Sequence, residues 1–434
     1  MMAFAERILG SLVHIRDRFS LTRLDMAHDG VLQHVRQSRR KAPKAQVAAV
    51  LDDALSIPCP DPTAEERTRD AHQARGQKLA RSEDWARLTE EIAQADSARR
   101  KTPGGKPVAE LMAYGARADV VGAAEHALLS GRPTPGAPLL AGIEALEQVL
   151  AEDSTNPILS AIVAQAHMDI GWAWRGTGWD IEVPLRNREA FSAHFDRAAD
   201  IVKDHADCIA GSPLLAATAC ALSSGRGGAV RHLVTQYETW IDLDPKNAQA
   251  FRTFGAQLLP RWHGDYDRLE LEARRVAGRT HDIWGAGGYT WMMLDAISVD
   301  AEACLRIDIA FFVDGLHDIL RHAPDQYTVN LLAAYCANTM GSMPTGQDET
   351  DYVRAQIAEA AIWIVRDHLT ELHPMLWAHA ARGFDNALRV RCADTFAASG
   401  YSDALRYLAN VFRRELRAGN RVIFTDKGAE MRPG

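Results

Sequence analysis

The chain lacks the patterns that mark disulfide-rich, membrane-spanning and secreted proteins. Its six cysteines are scattered along 434 residues without a Cys-x-x-Cys pair, which favours free thiols in a reducing compartment. No apolar run approaches the ~18–20 residues that cross a bilayer. Charged side chains interrupt every apolar run within residues 1–21, so no secretory signal is indicated. We therefore expect a cytoplasmic protein with no transmembrane segment.

Motifs for metal binding and catalysis are missing as well. The 16 histidines include no His-Glu-x-x-His, and no Gly-x-Ser-x-Gly elbow occurs. A loop at residues 102–107 contains Gly-Gly-Lys, but no strand pattern precedes it and no Ser or Thr follows Lys106. A phosphate-binding loop needs both features, so we interpret this one as an ordinary turn. The sequence predicts no cofactor, no metal and no catalytic residue, and it favours a protein that is not an enzyme.

A strong excess of basic charge is absent from the chain as a whole. The net charge is −8, although residues 1–50 carry nine Lys/Arg and four Asp/Glu, which is +5 and leaves −13 for the remainder. Nucleic-acid binding needs a basic face, so no nucleic-acid partner is expected. An amphipathic helix is predicted at residues 3–20. Packing against neighbouring helices is its favoured role, and contact with an anionic membrane surface is the alternative.

What the chain does have is a nearly continuous series of helical patterns. Predicted helices of 12–20 residues alternate with short turns rich in Gly and Pro, and a capping residue followed by proline opens two of them, at Asn156 and Ser212. We predict an all-α fold in three parts. They are an N-terminal helical region at residues 1–135, a helical array at 136–419 and a C-terminal tail at 420–434.

One unit within residues 244–274 is especially regular. The positions that define it are Pro245, Asn247, Phe251, Gly255 and Gly264. The proline ends one helix because it lacks an N–H, and the asparagine can cap the next. The aromatic and the first glycine share a helix face, where a missing side chain lets another helix come close. This segment resembles a tetratricopeptide repeat, although its turn at residues 260–263 is about two residues longer; the resemblance implies antiparallel helix pairs stacked as an α-solenoid.

Two turns rich in aromatic residues are candidate binding positions. The candidates are Trp172, Trp174, Arg175 and Trp179 at the first turn, and Arg261, Trp262, His263 and Tyr266 at the second. Tryptophan stacks on peptides, rings and cations, and arginine binds carboxylates, so these residues could form a recognition surface. In the alternative interpretation, Trp172 and Trp174 are core residues at a helix end, since aromatic residues at helical spacing usually pack.

The two turns also resemble those of an uncharacterised bacterial family of helical-repeat proteins with a domain of unknown function. The matching stretches are residues 173–178 and 260–264, within a resemblance that covers roughly residues 150–280. Trp174 and Arg175 are closer together than the family pattern has them. The resemblance implies a helical-repeat protein and no particular reaction.

These patterns lead to two functional hypotheses. The favoured one is a non-catalytic scaffold or adaptor that holds a segment of another protein in the concave groove of the array. The alternative is an enzyme or small-molecule binder with a closed pocket near Trp172–Trp179 and Trp262. A long open groove would support the first hypothesis, whereas a deep pocket with convergent polar groups would support the second.

Overall fold

The computed structural model describes residues 54–434, apart from residues 130, 132, 135, 138, 177–181, 343, 385–389 and 391. The amphipathic helix predicted at residues 3–20 and the candidate Trp179 lie outside the described residues. Regular structure in the described part is almost entirely helical, with three short strands, so the prediction of a predominantly helical fold is confirmed. No helix there is both long and apolar enough to cross a bilayer.

Three helices lie in the described part of the predicted N-terminal region. They are α1 (Ala64–Arg81), α2 (Trp85–Ser97) and α3 (Val108–Ala127). Thr63 starts α1 with a capping box: its hydroxyl accepts from the N–H of Glu66, whose carboxylate accepts from the N–H of Thr63. α1 packs on α3, and Leu88 and Ile92 of α2 are fully buried in a core shared with both. α2 and α3 bury apolar faces in this region, whereas the buried face of α1 is mainly polar, with Glu65, Arg69 and Gln73 beside Leu79.

Seventeen further α-helices follow in the described residues. The first nine are α4 (Ala141–Glu152), α5 (Pro157–Arg175), α6 (Leu185–Lys203), α7 (Pro213–Gly225), α8 (Val230–Leu243), α9 (Ala248–Gln257), α10 (Tyr266–Arg279), α11 (His281–Trp284) and α12 (Gly287–Val299). The others are α13 (Ala301–Leu305), α14 (Ile309–His322), α15 (Gln326–Ala334), α16 (Asp348–Ala358), α17 (Ala360–Asp367), α18 (Pro374–Ala380), α19 (Ala393–Val411) and α20 (Arg413–Arg417). A 3-10 helix at Ala206–Gly211 and a π-helical turn at Tyr335–Met340 complete the series.

Short polar side chains determine where many of these helices begin. Seven starts carry a cap whose oxygen accepts from a backbone N–H of the first turn, at Asn156, Ser212, Asn247, Asp265, Asp300, Asp308 and Asp325. Such a cap replaces a hydrogen bond that the first turn cannot make internally. Local sequence therefore fixes these helix boundaries.

Neighbouring helices share continuous apolar cores. α5 packs on α6 and α7 on α8, whereas α9 and α10 both make their extensive contacts with α12 rather than with each other. One core runs from Leu55 to Phe424, and a second runs from Val121 to Ile201. The second core draws side chains from both sides of residue 135, so the predicted N-terminal region and the predicted array pack as neighbours there.

The segment predicted as a C-terminal tail, residues 420–434, forms a β-hairpin. Its strands are β2 (Asn420–Thr425) and β3 (Gly428–Pro433), which pair in antiparallel fashion. A short strand β1 (Leu55–Ser56) pairs in parallel with β2, with Leu55 opposite Val422. Val422 and Phe424 are buried against the helices, so this hairpin belongs to the core.

The N-terminal region contacts the array from its first helices to its last. Arg117 of α3 forms an ion pair with Asp169 of α5. Asn247, just before α9, donates its amide to Glu110, also of α3. Near the other end, the N–H of Leu372, before α18, donates to the carbonyl of Pro58. Residues 55–117 therefore lie along much of the array.

Candidate functional site

The two predicted aromatic turns meet in the structure. The rings of Trp172 and Trp262 are edge to face, with centroids 6.4 Å apart. The guanidinium carbon of Arg175 lies 5.5 Å from the ring centroid of Trp172 and 6.0 Å from that of Trp262, within the range of favourable cation–π contacts. Trp172 is buried, and Arg175 and Trp262 are half-buried. Residues ninety positions apart therefore form one aromatic–arginine cluster.

The other described candidates at these turns, Trp174, Arg261, His263 and Tyr266, each make contacts of their own. Trp174 is buried, and its carbonyl accepts from the amide of Asn187 at 2.7 Å. Arg261 is exposed with its guanidinium carbon 5.1 Å from the ring centroid of Trp262. A ring nitrogen of His263 contacts the carbonyl of Ser224 at 3.2 Å, and the Tyr266 hydroxyl donates to Asp300 at 3.3 Å. The burial of Trp172 and Trp174 means that both rings contribute to packing.

The residues that define the predicted repeat lie at the start of α9, at its crossing with α12 and in the turn that follows it. The carbonyl of Pro245 accepts from the indole of Trp284 at 2.7 Å, Asn247 caps α9, and Phe251 is fully buried. A Cβ on Gly255 would lie 1.8 Å from the carbonyl oxygen of Met292 in α12. A Cβ on Gly264 would lie 2.3 Å from the carbonyl oxygen of Leu258 in its own turn. Both glycines therefore stand where backbones come together.

A cavity of about 770 Å³ opens away from the aromatic–arginine cluster. Its walls come from residues 101–106 of the Gly-Gly-Lys loop, from the start of α9 with Lys246, from α11 and Trp291 of α12, and from the α14–α15 connection with the first turns of α15. Trp172, Arg175 and Trp262 do not line it. The chain thus forms a half-open cavity at a place that the sequence did not indicate.

The Gly-Gly-Lys loop is held in place by one buried carboxylate of α1. Glu65 accepts from the hydroxyl of Thr102 at 2.8 Å and from the N–H of Gly104 at 2.6 Å. The hydroxyl of Thr102 in turn accepts from the N–H of Lys106 at 3.0 Å. A Cβ on Gly104 would lie 2.8 Å from both Glu65 and the ring of Tyr327. The loop interpreted as an ordinary turn is therefore a fixed wall of the cavity.

Basic and acidic side chains around the cavity balance each other, and two of the basic ones are paired. It carries the basic side chains of Lys101, Lys106, Lys246 and Arg252 and the acidic side chains of Asp282 and Asp325. Lys101 pairs with Asp244 at 2.8 Å, and Arg252 makes two hydrogen bonds to Asp295, at 3.1 and 2.7 Å. Burial lowers the pKa of Lys101, which Asp244 opposes and the nearby charge of Lys246 reinforces. Lysines from two distant parts of the chain thus share one region.

Two buried hydrogen-bond donors of the wall have no partner among the described residues. They are the hydroxyl of Tyr327 and the indole N–H of Trp291, whose residues are 9% and 3% exposed. Burial raises the pKa of Tyr327 to about 12, so its hydroxyl keeps its proton at neutral pH. An unsatisfied buried donor costs ~1–3 kcal/mol. Neither donor atom is accessible from the cavity, so a molecule bound there does not reach them unless the wall moves.

Two helices begin at the cavity, and their caps differ in charge. α9 begins after the neutral Asn247, whose side chain accepts from the N–H of Gln249 at 3.2 Å. α15 begins after Asp325, whose carboxylate accepts from the N–H of Thr328 at 2.9 Å. A helix N-terminus carries partial positive charge, which the Asp325 carboxylate offsets at α15. A carboxylate also lies at the start of α9, because Glu110 accepts from the amide of Asn247 at 3.4 Å.

The sequence prediction missed this site because none of its residues forms a recognisable local motif. The one local signal was the Gly-Gly-Lys loop, which was set aside because it follows no strand. Within the described residues, no group of three or more His, Cys, Asp or Glu side chains is arranged to hold a metal ion. Comparison of the chain with protein-family models, curated proteins and solved structures gave no match.

Proposed function

We propose that the chain is a binding protein that holds a small molecule in the cavity between the Gly-Gly-Lys loop and the start of α9. The observation that carries this proposal is the cavity itself, which four separate parts of the chain build. The cavity volume lies within the ~300–1,000 Å³ of small-molecule sites. Its wall includes the aromatic side chains of Trp284, Trp291 and Tyr327 together with many polar and charged ones, and aromatic side chains are common in such sites.

The tetratricopeptide-like α-solenoid remains part of this proposal. α9, α12 and α15 are buried along nearly their whole length, and residues 55–117 lie along the array. We propose that this segment occupies the side of the solenoid on which a partner peptide was predicted to bind. The arrangement favours a half-open site for a small molecule over a long groove for a protein segment.

Filling the cavity is expected to abolish binding. Ala248 is the first residue of α9, is half-buried and lines the cavity, so Ala248→Trp places an indole inside it. Ala229→Trp is the matched control, because Ala229 is exposed just before α8. We expect fragments from a library of neutral, cationic and anionic compounds to raise the melting temperature of the wild type and the control by about 3–5 °C at 100 times Kd. They should leave Ala248→Trp unchanged.

The same screen can contradict the proposal. Circular dichroism and the melting temperature of Ala248→Trp without ligand establish that the variant is folded. If no fragment stabilises the wild type, or if every stabilising fragment acts equally on the folded Ala248→Trp variant, the cavity is not a ligand site.

A second candidate function is the predicted non-catalytic scaffold or adaptor for another protein. The aromatic–arginine cluster favours it, since Arg175 contacts two tryptophan rings and Arg261 stands exposed beside one of them. Arginine next to aromatic rings is common in the energetically dominant parts of protein interfaces. A partner segment with carboxylate and aromatic side chains would fit this surface.

Substitution of Arg175 and Arg261 distinguishes a role in binding a partner from a role in stabilising the fold. In a pull-down followed by mass spectrometry and a binding titration, Arg175→Ala and Arg261→Ala are each expected to weaken partner binding by ~1–3 kcal/mol, the range for a charged hydrogen bond at an interface. Their melting temperatures should stay close to that of the wild type. Arg231→Ala, at an exposed position on α8, is the control. Lower melting temperatures without a selective loss of binding would assign both arginines to structural support.

A further inference from the structure

We propose that the contact between α5 and α6 is a pH-sensitive switch, which opens in acid when the paired imidazoles of His167 and His194 take up protons. The inference is independent of the cavity and of any ligand bound there. Three observations carry it: the two imidazoles meet through one pair of nitrogen atoms, both are buried, and the helices that hold them also support the aromatic–arginine cluster.

The histidine pair, His167 of α5 and His194 of α6, has a defined arrangement of protons when it is neutral. Arg197 donates to Glu147 of α4 at 2.6 Å and holds the pKa of that carboxyl below its ordinary value. The Glu147 carboxylate accepts from Nε2 of His167 at 2.8 Å, so the neutral His167 has no proton on Nδ1. Nδ1 of His194 lies 3.0 Å from that nitrogen and must therefore donate to it.

This arrangement disfavours further protons. His167 and His194 are 6% and 9% exposed, and burial penalises an imidazolium. The first added proton goes to Nε2 of His194, which has no acceptor among the described residues. A second one sets two N–H groups and two positive charges against each other. Burial lowers the pKa of His194 to about 4, with a further contribution from His167, and it lowers the pKa of His167, which Glu147 opposes.

The helices around the histidine pair bring few charges to it. Glu147 of α4 favours protonation of His167, and Arg197 of α6 opposes it. The charges between α3 and α5 are paired with each other, as are those between α6 and the residue after α7. α2 and α7 meet α5 and its cap through hydrogen bonds between uncharged side chains. Burial therefore decides the direction of the effect.

The sign of the pH effect follows from the lowered pKa values. Imidazoles released to water take up protons below the ordinary histidine pKa of ~6.5, whereas His194 in the closed contact resists until about 4. The closed contact therefore keeps its full stability above pH ~6.5 and loses it as the pH falls toward the pKa of the buried ring. Between pH 7 and pH 5, protonation of His194 alone favours the open form by about 20-fold.

Opening of this contact would disturb the aromatic–arginine cluster. Phe195 follows His194 on α6, and its ring packs edge to face on Trp172 with centroids 5.9 Å apart. A Cβ on Gly171 would lie 3.2 Å from the Phe195 ring and 3.4 Å from Cβ of His194, so α5 and α6 touch closely here. Separation of the histidines therefore moves Phe195 away from Trp172, the ring beside which Arg175 lies.

Hydrogen exchange followed by mass spectrometry, on the wild-type chain at pH 7 and pH 5, measures the opening. After correction for the intrinsic effect of pH on exchange, protection of α5 and α6 should fall about tenfold or more, whereas protection of α12 and α15 should stay the same. His194→Asn keeps an N–H donor near the position of Nδ1 but cannot take up a proton, so it should lose most of this pH dependence. His232→Asn, at an exposed position of α8, should match the wild type.

Both the wild type and the variant can overturn the inference. Unchanged protection of α5 and α6 in the wild type, or a loss spread evenly over the chain, would show that the histidine pair is not a local switch. An equal loss in the wild type and in His194→Asn would assign the effect to other groups. If His194→Asn is unfolded at pH 7, His194→Gln takes its place, because its longer amide can also donate to His167 and does not titrate.

Discussion

Gly255→Leu is expected to cause a large loss of stability where α9 crosses α12. A Cβ at this position would lie 1.8 Å from the carbonyl oxygen of Met292. This neighbour is backbone of the buried helix α12, so it cannot rotate away as a side chain could. Overpacking that side chains can absorb costs ~1–3 kcal/mol. Here the backbone of α9 or α12 must itself move, so we expect the free energy of unfolding to fall by ~3 kcal/mol or more.

Two further substitutions show whether backbone approach is the cause. Gly255→Ala adds only the Cβ, which already meets the carbonyl, so we expect it to be nearly as damaging as leucine. Gly278→Leu is the matched control, because Gly278 is exposed in α10 and a Cβ there meets no atom within 4 Å. Leucine favours a helix over glycine by up to ~1 kcal/mol, so the control should melt at the same temperature as the wild type or higher.

Thermal and urea denaturation of the four proteins give the measurement. An unchanged melting temperature for Gly255→Ala and Gly255→Leu would show that α9 and α12 do not pack at this glycine. A loss confined to Gly255→Leu would instead show that side-chain volume, rather than the backbone approach, limits this position.

The sequence predicted the helices better than it predicted their arrangement. The caps at Asn156, Ser212 and Asn247 are local signals, because each depends on a side chain and the two or three residues after it. The close approach at Gly255 was also expected, yet its partner could not be named, since Met292 lies 37 residues further along the chain. Helix–helix packing depends on many such distant contacts, and a single sequence does not record them.

The candidate site shows the same limit more strongly. Its groups come from the Gly-Gly-Lys loop, the start of α9 and the start of α15, which are far apart in sequence. The loop was interpreted as an ordinary turn because phosphate-binding loops follow a strand. In the structure the Glu65 carboxylate of α1 accepts hydrogen bonds from the loop and fixes its position. The aromatic–arginine cluster was easier to anticipate, because each of its turns combines tryptophan and arginine within two residues.

The β-hairpin at residues 420–434 differs from the expected tail for a related reason. Its strand pattern is short, and the strand β1 that pairs with it lies at residues 55 and 56, at the other end of the described chain. A two-stranded hairpin alone is marginal in water. Packing of Val422 and Phe424 on the helical core stabilises it, and that packing follows only from the complete fold.

The second large effect is expected at the ion pair between Arg117 of α3 and Asp169 of α5. The two residues are 3% and 1% exposed, with Nε and Oδ2 2.8 Å apart. Arg117→Met removes the cation and leaves the carboxylate buried without its counter-charge. Breaking a buried pair in this way costs ~3–5 kcal/mol. We therefore expect a fall of that size in the free energy of unfolding, measured by urea denaturation.

A double variant and a surface pair make this prediction specific. Arg117→Met combined with Asp169→Asn removes both charges while the amide keeps hydrogen-bonding capacity, so it should recover at least half of the loss. Arg81→Met breaks the pair of Arg81 with Asp119, which is 2.6 Å long but 52% and 41% exposed. Exposed pairs contribute ~0–1 kcal/mol, so this control should change stability little. A small effect of Arg117→Met, or a double variant less stable than the single one, would mean that charge burial does not hold the N-terminal region against the array.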